Sequence, residues 1–162
     1  EIKNYNLPNT NIYYLKKGDE FFIDKLYFKV LWPSSDQQDV NNNSLVIYSV
    51  IFKMRILFTG DIEKEAEEAF IKEVGRLDVD ILKIAHHGSK TSSTDNFLKN
   101  ISFKYAVSMN GYNNTFGFPH QTIVNRFNNL EGVVLYNTLD YGTITFYRDL
   151  FNKRVKIKTS FK

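Results

Sequence analysis

Short apolar runs alternate with helical patterns through the middle of the chain, and this alternation constrains the fold more than any other feature of the sequence. The runs that predict strands are Ser44–Phe52, Arg55–Phe58, Val79–Ala85, Tyr105–Met109 and Val133–Tyr136. Apolar residues at helical spacing predict a helix from Ile62 to Val74. Ser92 or Ser93 can N-cap a short helix that runs to Ile101, and Pro119 suits the first turn of a helix that runs to Leu130. Strands and helices that alternate in this way indicate an α/β fold in which helices pack on a sheet.

Aromatic-rich runs at both ends of the chain predict further strands. They are Asn11–Leu15, Glu20–Ile23, Leu26–Trp32, Gly142–Tyr147 and Val155–Ile157. Turn residues such as Gly18-Asp19 separate the N-terminal runs and favour antiparallel pairing, so we expect a mixed sheet. The polar tract Ser34–Asn43 contains one apolar residue, Val40, and predicts a loop that faces solvent or substrate.

Composition narrows the class of protein without identifying a function. The 162 residues suit a single domain, and no stretch approaches the ~18 uninterrupted apolar residues of a membrane helix. The chain has no cysteine, which excludes disulfides, thiolate zinc sites and cysteine nucleophiles. A net charge of +3 permits a polyanionic substrate but does not demand one. The first residue is Glu1 rather than Met, so we expect a fragment of a longer protein.

The first candidate site residue is Asp61, which follows the apolar run Arg55–Phe58 in the sequence Thr59-Gly60-Asp61. Enzymes built on sheets collect polar groups at the C-terminal ends of strands. A carboxylate there could be a hard oxygen ligand that bridges two cations. Alternatively, Asp61 could cap the helix that follows.

A second candidate is the adjacent pair His86 and His87, which follows the apolar run Val79–Ala85. Neutral imidazole is a good ligand for borderline metals. Adjacent side chains cannot point the same way from a strand, so one histidine could bind a metal while the other contacts substrate. The alternative is a pair of ordinary surface histidines in a polar loop.

Phosphate binding is the third prediction. Gly88 would let the backbone approach a ligand closely, and the polar residues after it could hold phosphate oxygens: Ser89, Lys90 and Ser92. His120 lies after a long Asn- and Gly-rich loop, at the start of a predicted helix, where anions are favoured. A phosphate contact fits His120, although a histidine that merely decorates a helix start fits equally.

A series of motifs, in order, resembles the metallo-β-lactamase-fold domain of the ComEC family of DNA-internalisation competence proteins. These motifs are Asn42-Asn43-Ser44-Leu45-Val46, Leu57–Ile62, Asp80–Ser92, Ser108-x-Asn110, Gly117–His120 and Thr138–Ile144. The resemblance covers roughly residues 26–147, which is most of the chain. It implies a partial metallo-β-lactamase fold of the αββα sandwich type, with residues 1–162 as its C-terminal portion.

The resemblance also implies a two-metal hydrolase that uses zinc or manganese. Asp61 would bridge the two metals and so take part in catalysis. His87 would be a metal ligand, and His86 would reach the substrate phosphate as a catalytic residue.

Single-stranded DNA is the substrate that the resemblance implies. Four residues would lie around the phosphate path: Ser89, Lys90, Asn110 and His120. The domain would be attached to a membrane channel of the same polypeptide, in a bacterial cell membrane, and would lie outside the bilayer.

The chain departs from the family pattern in its metal ligands. The motif His-x-His-x-Asp-His is absent, because no histidine precedes His86. A further histidine expected before Ser44 is replaced by asparagines, Asn41 to Asn43. Only Asp61 and His87 remain as ligands, whereas a catalytic zinc usually takes about three from the protein. We therefore expect the isolated chain to bind metal weakly and not to catalyse.

Two other functions remain open at this point. One is a stand-alone hydrolase of a phosphorylated small molecule or a cell-wall phosphodiester. The other is a degenerate, non-catalytic DNA-binding domain. Cations near predicted strand ends could contact nucleic acid: Lys83, Lys90, Lys99, Lys104 and Arg126. Tyr112 and Phe116 could stack bases, although solvated charges and loop packing are the simpler interpretation.

Overall fold

The computed structural model describes residues 11–149, 151–152 and 154–161. Its strands are β1 (Glu20–Ile23), β2 (Leu26–Trp32), β3 (Val46–Ile51), β4 (Met54–Phe58), β5 (Leu77–Asp78), β6 (Ile81–Lys83), β7 (Ile101–Ser102), β8 (Tyr105–Ser108), β9 (Val134–Asn137), β10 (Ile144–Arg148) and β11 (Val155–Thr159). Its α-helices are α1 (Lys64–Val74), α2 (Asp95–Asn100), α3 (Gln121–Asn128) and α4 (Thr138–Tyr141).

The main sheet has seven strands in the order β1-β2-β3-β4-β6-β8-β9. Its first four strands pair antiparallel as hairpins, and β4, β6, β8 and β9 pair parallel. The connections between the parallel strands contain α1, α2 and α3. The predicted α/β class with a mixed sheet is therefore confirmed.

One face of the sheet is covered by helices. The core there includes Trp32 and Leu57 from the strands and Phe70, Phe97 and Phe127 from the helices, each at most 1% exposed. The phenyl rings of Phe70 on α1 and Phe97 on α2 lie 6.1 Å apart between centroids. Truncation of a buried aromatic residue of this kind costs about 3–5 kcal/mol, so this layer is the main source of stability.

The opposite face of the sheet is partly covered by the β10–β11 hairpin. Met54, Ile81 and Tyr105 are buried there. Phe146 of β10 packs on the Tyr105 ring with centroids 5.5 Å apart. The parallel strands are thus covered on both faces, as such strands usually are.

Several predicted boundaries were wrong. Residues 11–16 form neither a helix nor a strand, although a strand was predicted over Asn11–Leu15. The predicted strand Val79–Ala85 is limited to β6, because the backbone turns into a 3-10 turn at Ala85–Gly88. Thr94, rather than Ser92 or Ser93, caps α2, and its Oγ1 accepts a hydrogen bond from Phe97 N at 3.2 Å.

The remaining helix and strand predictions hold to within two residues at each end. The predicted helix Pro119–Leu130 is α3, which begins two residues later than predicted. The polar tract Ser34–Asn43 contains a 3-10 turn at Asn41–Asn43 that the sequence pattern did not indicate. Within the described part of the chain, no helix is long and apolar enough to cross a membrane.

A buried carboxylate joins α1 to the start of α2. Glu67 is fully buried, and its side chain accepts hydrogen bonds from Ser93 N at 2.5 Å and Thr94 N at 2.8 Å. Burial raises the pKa of the Glu67 carboxyl, and the hydrogen bonds from Thr94 and Ser93 offset part of that rise. Arg126 of α3 donates to Ser93 O at 2.7 Å. The segment before α2 is therefore held by both neighbouring helices.

We expect Glu67→Ala to lower the free energy of unfolding by about 2–4 kcal/mol, because it leaves backbone N–H groups without partners in a buried region. Urea denaturation measures this loss. Glu68→Ala is the matched control on the same helix, since Glu68 makes only a long surface ion pair with Lys64 at 3.9 Å. That control should change stability by less than about 0.5 kcal/mol. Equal effects of the two changes would contradict the assigned role of Glu67.

The raised pKa of Glu67 also predicts a pH dependence of stability. Between the ordinary carboxyl pKa of 4.5 and the higher native pKa, the folded state holds a proton that the unfolded state has released. The free energy of unfolding should therefore fall as pH rises through this window. Glu67→Gln removes that contribution, so the difference between parent and variant should change as pH rises above the ordinary carboxyl pKa of 4.5. A pH-independent difference would be the contrary result.

Candidate functional site

A pocket opens at the C-terminal ends of three adjacent parallel strands. Asp61 follows β4, His86 and His87 follow β6, and Asn110 follows β8. The pocket volume is about 360 Å³, and its lining comprises Asp61, His86, His87, Asn110, Gly111, Asn114, Phe116 and Phe118. Parallel neighbours end at the same edge of a sheet, which is where open α/β sheets bind ligands.

The turn that carries Asp61 is packed tightly against the loop before β3. Gly60 has a φ of +58°, and a Cβ built there would lie 2.5 Å from Ser44 Cβ. Ser44 Oγ accepts a hydrogen bond from Asp61 N at 3.1 Å, and Asn42 Oδ1 accepts one from Glu63 N at 2.8 Å. Only glycine suits both the conformation and the space at position 60, so this loop sets the position of Asp61.

The two adjacent histidines lie in a left-handed turn and not at the end of a strand. His86 and His87 have φ values of 46° and 54°. Backbone conformations of this kind cost about 1–3 kcal/mol each and cluster at functional sites. His86 N donates to Gly60 O at 3.2 Å, which joins this turn to the turn that carries Asp61.

The His87 ring is oriented by a backbone carbonyl. Its Nδ1 lies 2.5 Å from Met109 O, and its Nε2 lies 3.5 Å from Asp61 Oδ1. A carbonyl can only accept, so Nδ1 carries the proton, and in the neutral ring Nε2 presents a lone pair to the carboxylate. A lone pair and a carboxylate at this separation repel each other unless a proton or a cation lies between them. Carbonyl-oriented imidazoles of this type are common among metal ligands.

Lys83 is a second neighbour of the Asp61 carboxylate. Its Nζ donates to Gly60 O at 2.8 Å and is 3.5 Å from Asp61 Oδ1. The side chain is only 13% exposed. Burial lowers the pKa of the Lys83 ammonium, and the charge of Asp61 offsets part of this shift. Asp61 is therefore flanked by an ammonium and an imidazole.

His86 lines the pocket beside a second carboxylate. Its Nδ1 is 3.0 Å from Glu63 Oε1, but the angles are not those of a hydrogen bond, and this buried atom has no hydrogen-bond partner among the described residues. Glu63 Oε1 instead accepts from Thr91 Oγ1 at 2.8 Å. The His86 ring therefore faces a carboxylate oxygen that is already bonded to Thr91.

Asn110 lines the pocket, but its side-chain amide is engaged within the protein. Asn110 Nδ2 donates to His87 O at 2.7 Å, and Asn110 Oδ1 accepts from Ser108 Oγ at 2.6 Å. Asn110 N donates to Thr138 Oγ1 at 2.7 Å. These bonds fasten the histidine turn to β8 and to the start of α4.

The other predicted phosphate-binding residues lie beside the pocket rather than in its lining. Ser89 is 5% exposed, and its hydroxyl is 2.9 Å from Thr91 Oγ1. Lys90 lines a neighbouring polar cleft. Lys90 N donates to His120 Nδ1 at 3.0 Å, which joins this loop to the beginning of α3. The structure thus gathers Asp61, His86, His87 and Asn110. Phosphate binding remains a prediction for the other four residues: Ser89, Lys90, Ser92 and His120.

A metal ion is matched only in part by these residues. Asp61 and His87 face each other as a carboxylate and an imidazole donor. Across the described ranges, no group of three or more His, Cys, Asp or Glu side chains converges on one point. Since about three protein ligands are usual for a catalytic zinc, the pair fits one part of a coordination shell.

Sequence reasoning missed some residues that shape the site. Lys83 was predicted only as a scattered cation, and Glu63, Asn114 and Phe118 were not singled out as site residues. Lys83 was detectable in principle, because it is one of two charged residues, with Asp80, in the apolar run that precedes the histidines. Glu63 had no signal, and Phe118 lies within the motif Gly117–His120, but only the fold places these two residues beside His86.

Comparison with known proteins shows that the chain is similar to bacterial competence proteins. No family model matches the chain. The chain is 34% identical over 133 residues to ComE operon protein 3 of Bacillus subtilis, 35% over 125 residues to competence protein ComA of Neisseria gonorrhoeae, and 31% over 135 residues to recombination protein 2 of Haemophilus influenzae. The matches cover 76–82% of this chain but only 17–18% of the length of those proteins. They support a competence-protein family for the chain.

The carbonyl contact predicts the tautomer of His87. At mildly alkaline pH, where imidazole is neutral, His87 should carry its proton on Nδ1. His120 is the internal control, because its Nδ1 accepts from Lys90 N and its proton must lie on Nε2. Two-bond nitrogen–proton correlation spectra distinguish the tautomers, and the chain has only three histidines to assign. An Nε2-protonated neutral His87 would contradict the described geometry.

Proposed function

We propose that this chain is the C-terminal portion of a metallo-β-lactamase-like domain that hydrolyses phosphodiester bonds of DNA in a competence protein. The observation that carries the proposal is the Asp61–His87 pair at the ends of β4 and β6, with Nε2 3.5 Å from the carboxylate. Similarity to ComE operon protein 3 and competence protein ComA supports a role in DNA uptake.

Asp61 and His87 would hold a divalent zinc or manganese ion, with the remaining ligands supplied from outside the described residues. Two features support this assignment. The His87 lone pair is directed at the carboxylate by the Met109 carbonyl, and the Asp61 turn is fastened to the Asn42–Ser44 loop. When bound there, the ion would supply the positive charge that polarises a phosphoryl group.

The chain's own residues would orient the substrate and handle protons. Lys83 holds the Asp61 turn through Gly60 O. His86 lines the pocket and would contact the substrate phosphate. Lys90 and His120, on the loops beside the pocket, would attract the flanking phosphates.

We place the domain outside the bilayer in a membrane-bound competence protein, with single-stranded DNA as the substrate. The much greater length of the similar proteins leaves room for a membrane channel in the same polypeptide. This placement depends on the assignment to competence proteins.

A non-catalytic DNA-binding role is the second candidate, and one observation favours it. The Lys83 ammonium lies 3.5 Å from Asp61 Oδ1, so the carboxylate already has a counter-ion within the protein. A domain that had lost its metals could keep its fold through this ion pair. The two candidates differ in whether Asp61 is needed for phosphodiester cleavage.

The test compares this chain with a form extended upstream through the whole domain, each with Mn²⁺ or Zn²⁺ and single-stranded DNA. We expect the extended form to cut, and Asp61→Asn to lower its rate by about 100-fold or more, since the substitution removes a charged metal ligand. Glu131→Gln is the control, because Glu131 is an exposed carboxylate away from the pocket.

Cleavage and DNA binding distinguish the two candidate functions, and calorimetry measures metal binding by each form. Cleavage that requires metal and Asp61 supports the hydrolase. If the extended form binds DNA but neither form cuts with metal present, and Asp61→Asn binds DNA as the parent does, the non-catalytic role replaces it. Tight metal binding by the isolated chain would contradict the expectation that two ligands bind weakly.

A further inference from the structure

An exposed aromatic ring lies at the rim of the candidate site. Phe116 is 71% exposed, although it lines the same pocket as Asp61 and His87. One side of its ring stacks on Phe118, with centroids 5.4 Å apart and planes at 15°. Phe118 in turn meets His86 edge-on, with centroids 5.6 Å apart. A continuous column of rings therefore runs from solvent to the pocket histidine.

The loop that carries these rings is held in one conformation. Asn114 Oδ1 accepts from Phe118 N at 2.8 Å, and Asn114 Nδ2 donates to Phe118 O at 2.8 Å. The Phe118 ring also packs edge-on against His120, with centroids 5.0 Å apart. A flat ligand that stacks on Phe116 would thus meet a surface that is already ordered, which lowers the entropic cost of binding.

The rim offers a flat apolar face rather than free hydrogen-bonding groups. The side-chain amides of Asn110 and Asn114, which line the pocket, are both engaged within the protein. A ligand that binds here therefore gains stacking but little hydrogen-bond recognition by these amides. Bases of single-stranded nucleic acids are bound in this way by aromatic side chains, with little dependence on sequence.

We propose that Phe116 is a base-stacking subsite that holds one unpaired nucleobase of single-stranded DNA beside the pocket of Asp61 and His87. The proposal rests on the proposed function for the identity of the substrate and adds how that substrate is held. Bases in a duplex are already stacked on their neighbours, so the subsite selects single strands. The base on Phe116 positions the adjacent phosphodiester at the pocket.

Fluorescence of a substituted chain tests the stacking contact directly. The natural chain has one tryptophan, Trp32, which is 1% exposed and therefore shielded from ligands. In Phe116→Trp, a thymine oligonucleotide should quench the new fluorescence, whereas an oligonucleotide of abasic sites should not. Phe52→Trp is the matched control, because Phe52 is also 71% exposed. It lies in the turn before β4, whereas the pocket lies after the other end of β4.

Affinity gives the second measurement. Phe116→Ala should weaken binding of the thymine oligonucleotide by about 5-fold to 150-fold, the range for loss of one stacked base. The same change should leave binding of the abasic oligonucleotide unaltered, and Phe52→Ala should behave as the parent does. Phe116→Tyr, which keeps a flat ring, should retain most of the affinity. Melting curves of each variant establish that it is folded.

The outcomes distinguish failure of this subsite from failure of the proposed function. Absence of quenching in Phe116→Trp, equal binding of thymine and abasic oligonucleotides, or equal losses in Phe116→Ala and Phe52→Ala would overturn the subsite. Cleavage of both oligonucleotides by the extended form, with no effect of Phe116→Ala, would keep the hydrolase and remove the subsite. Base-dependent binding without any cleavage would keep the subsite and remove the hydrolase.

Discussion

Parallel pairing aligns Phe58 with Lys83, and Lys83 with Val107, so the turns after β4, β6 and β8 leave the sheet at one edge. Those turns carry Asp61, the two histidines and Asn110. The backbone bond from His86 N to Gly60 O closes the gap between the first two turns. A shift of one residue in this register would turn every side chain of the shifted strand to the other face of the sheet and would separate the carboxylate from the imidazole. The site therefore depends on strand register before it depends on any single side chain.

Most polar groups around the pocket serve to hold the turns in place. Ser44 and Asn42 accept hydrogen bonds from the turn that carries Asp61, and Asn110 donates one to the turn that carries the histidines. Lys83 donates to the carbonyl of Gly60. Such satisfied networks make a rigid frame. The groups left over are the Asp61 carboxylate and the Nε2 of His87, which line the pocket together with the His86 ring, and these are the groups that can take part in chemistry. The side chains that hold the turns are thus different from those that carry the reactive groups, although the two kinds of residue alternate along the chain.

Much of the fold was accessible from hydrophobic periodicity. The runs that became β2, β3, β4 and β8 are long or apolar enough to be recognised alone, and the helical spacing of Ala66, Phe70 and their neighbours identified α1. The errors occurred where tertiary contacts override local preference. Ala85 continues the apolar run of β6, but the left-handed turn at His86 and His87 ends the strand. Thr94 caps α2 in place of Ser92 or Ser93 because Glu67 binds the N–H groups of residues 93 and 94.

For the site, the sequence by itself determined which residues carry reactive groups and that they follow apolar strands. This was possible because Asp61, His86 and His87 are few, polar and placed directly after apolar runs. Only the tertiary structure decided which of them meet, which ring nitrogen faces the carboxylate, and that Lys83, Glu63 and Phe118 share the site. These facts depend on the register of parallel strands and on backbone carbonyls such as that of Met109. Neither can be recognised from residue type, since a residue of any type at position 109 would present the same backbone oxygen.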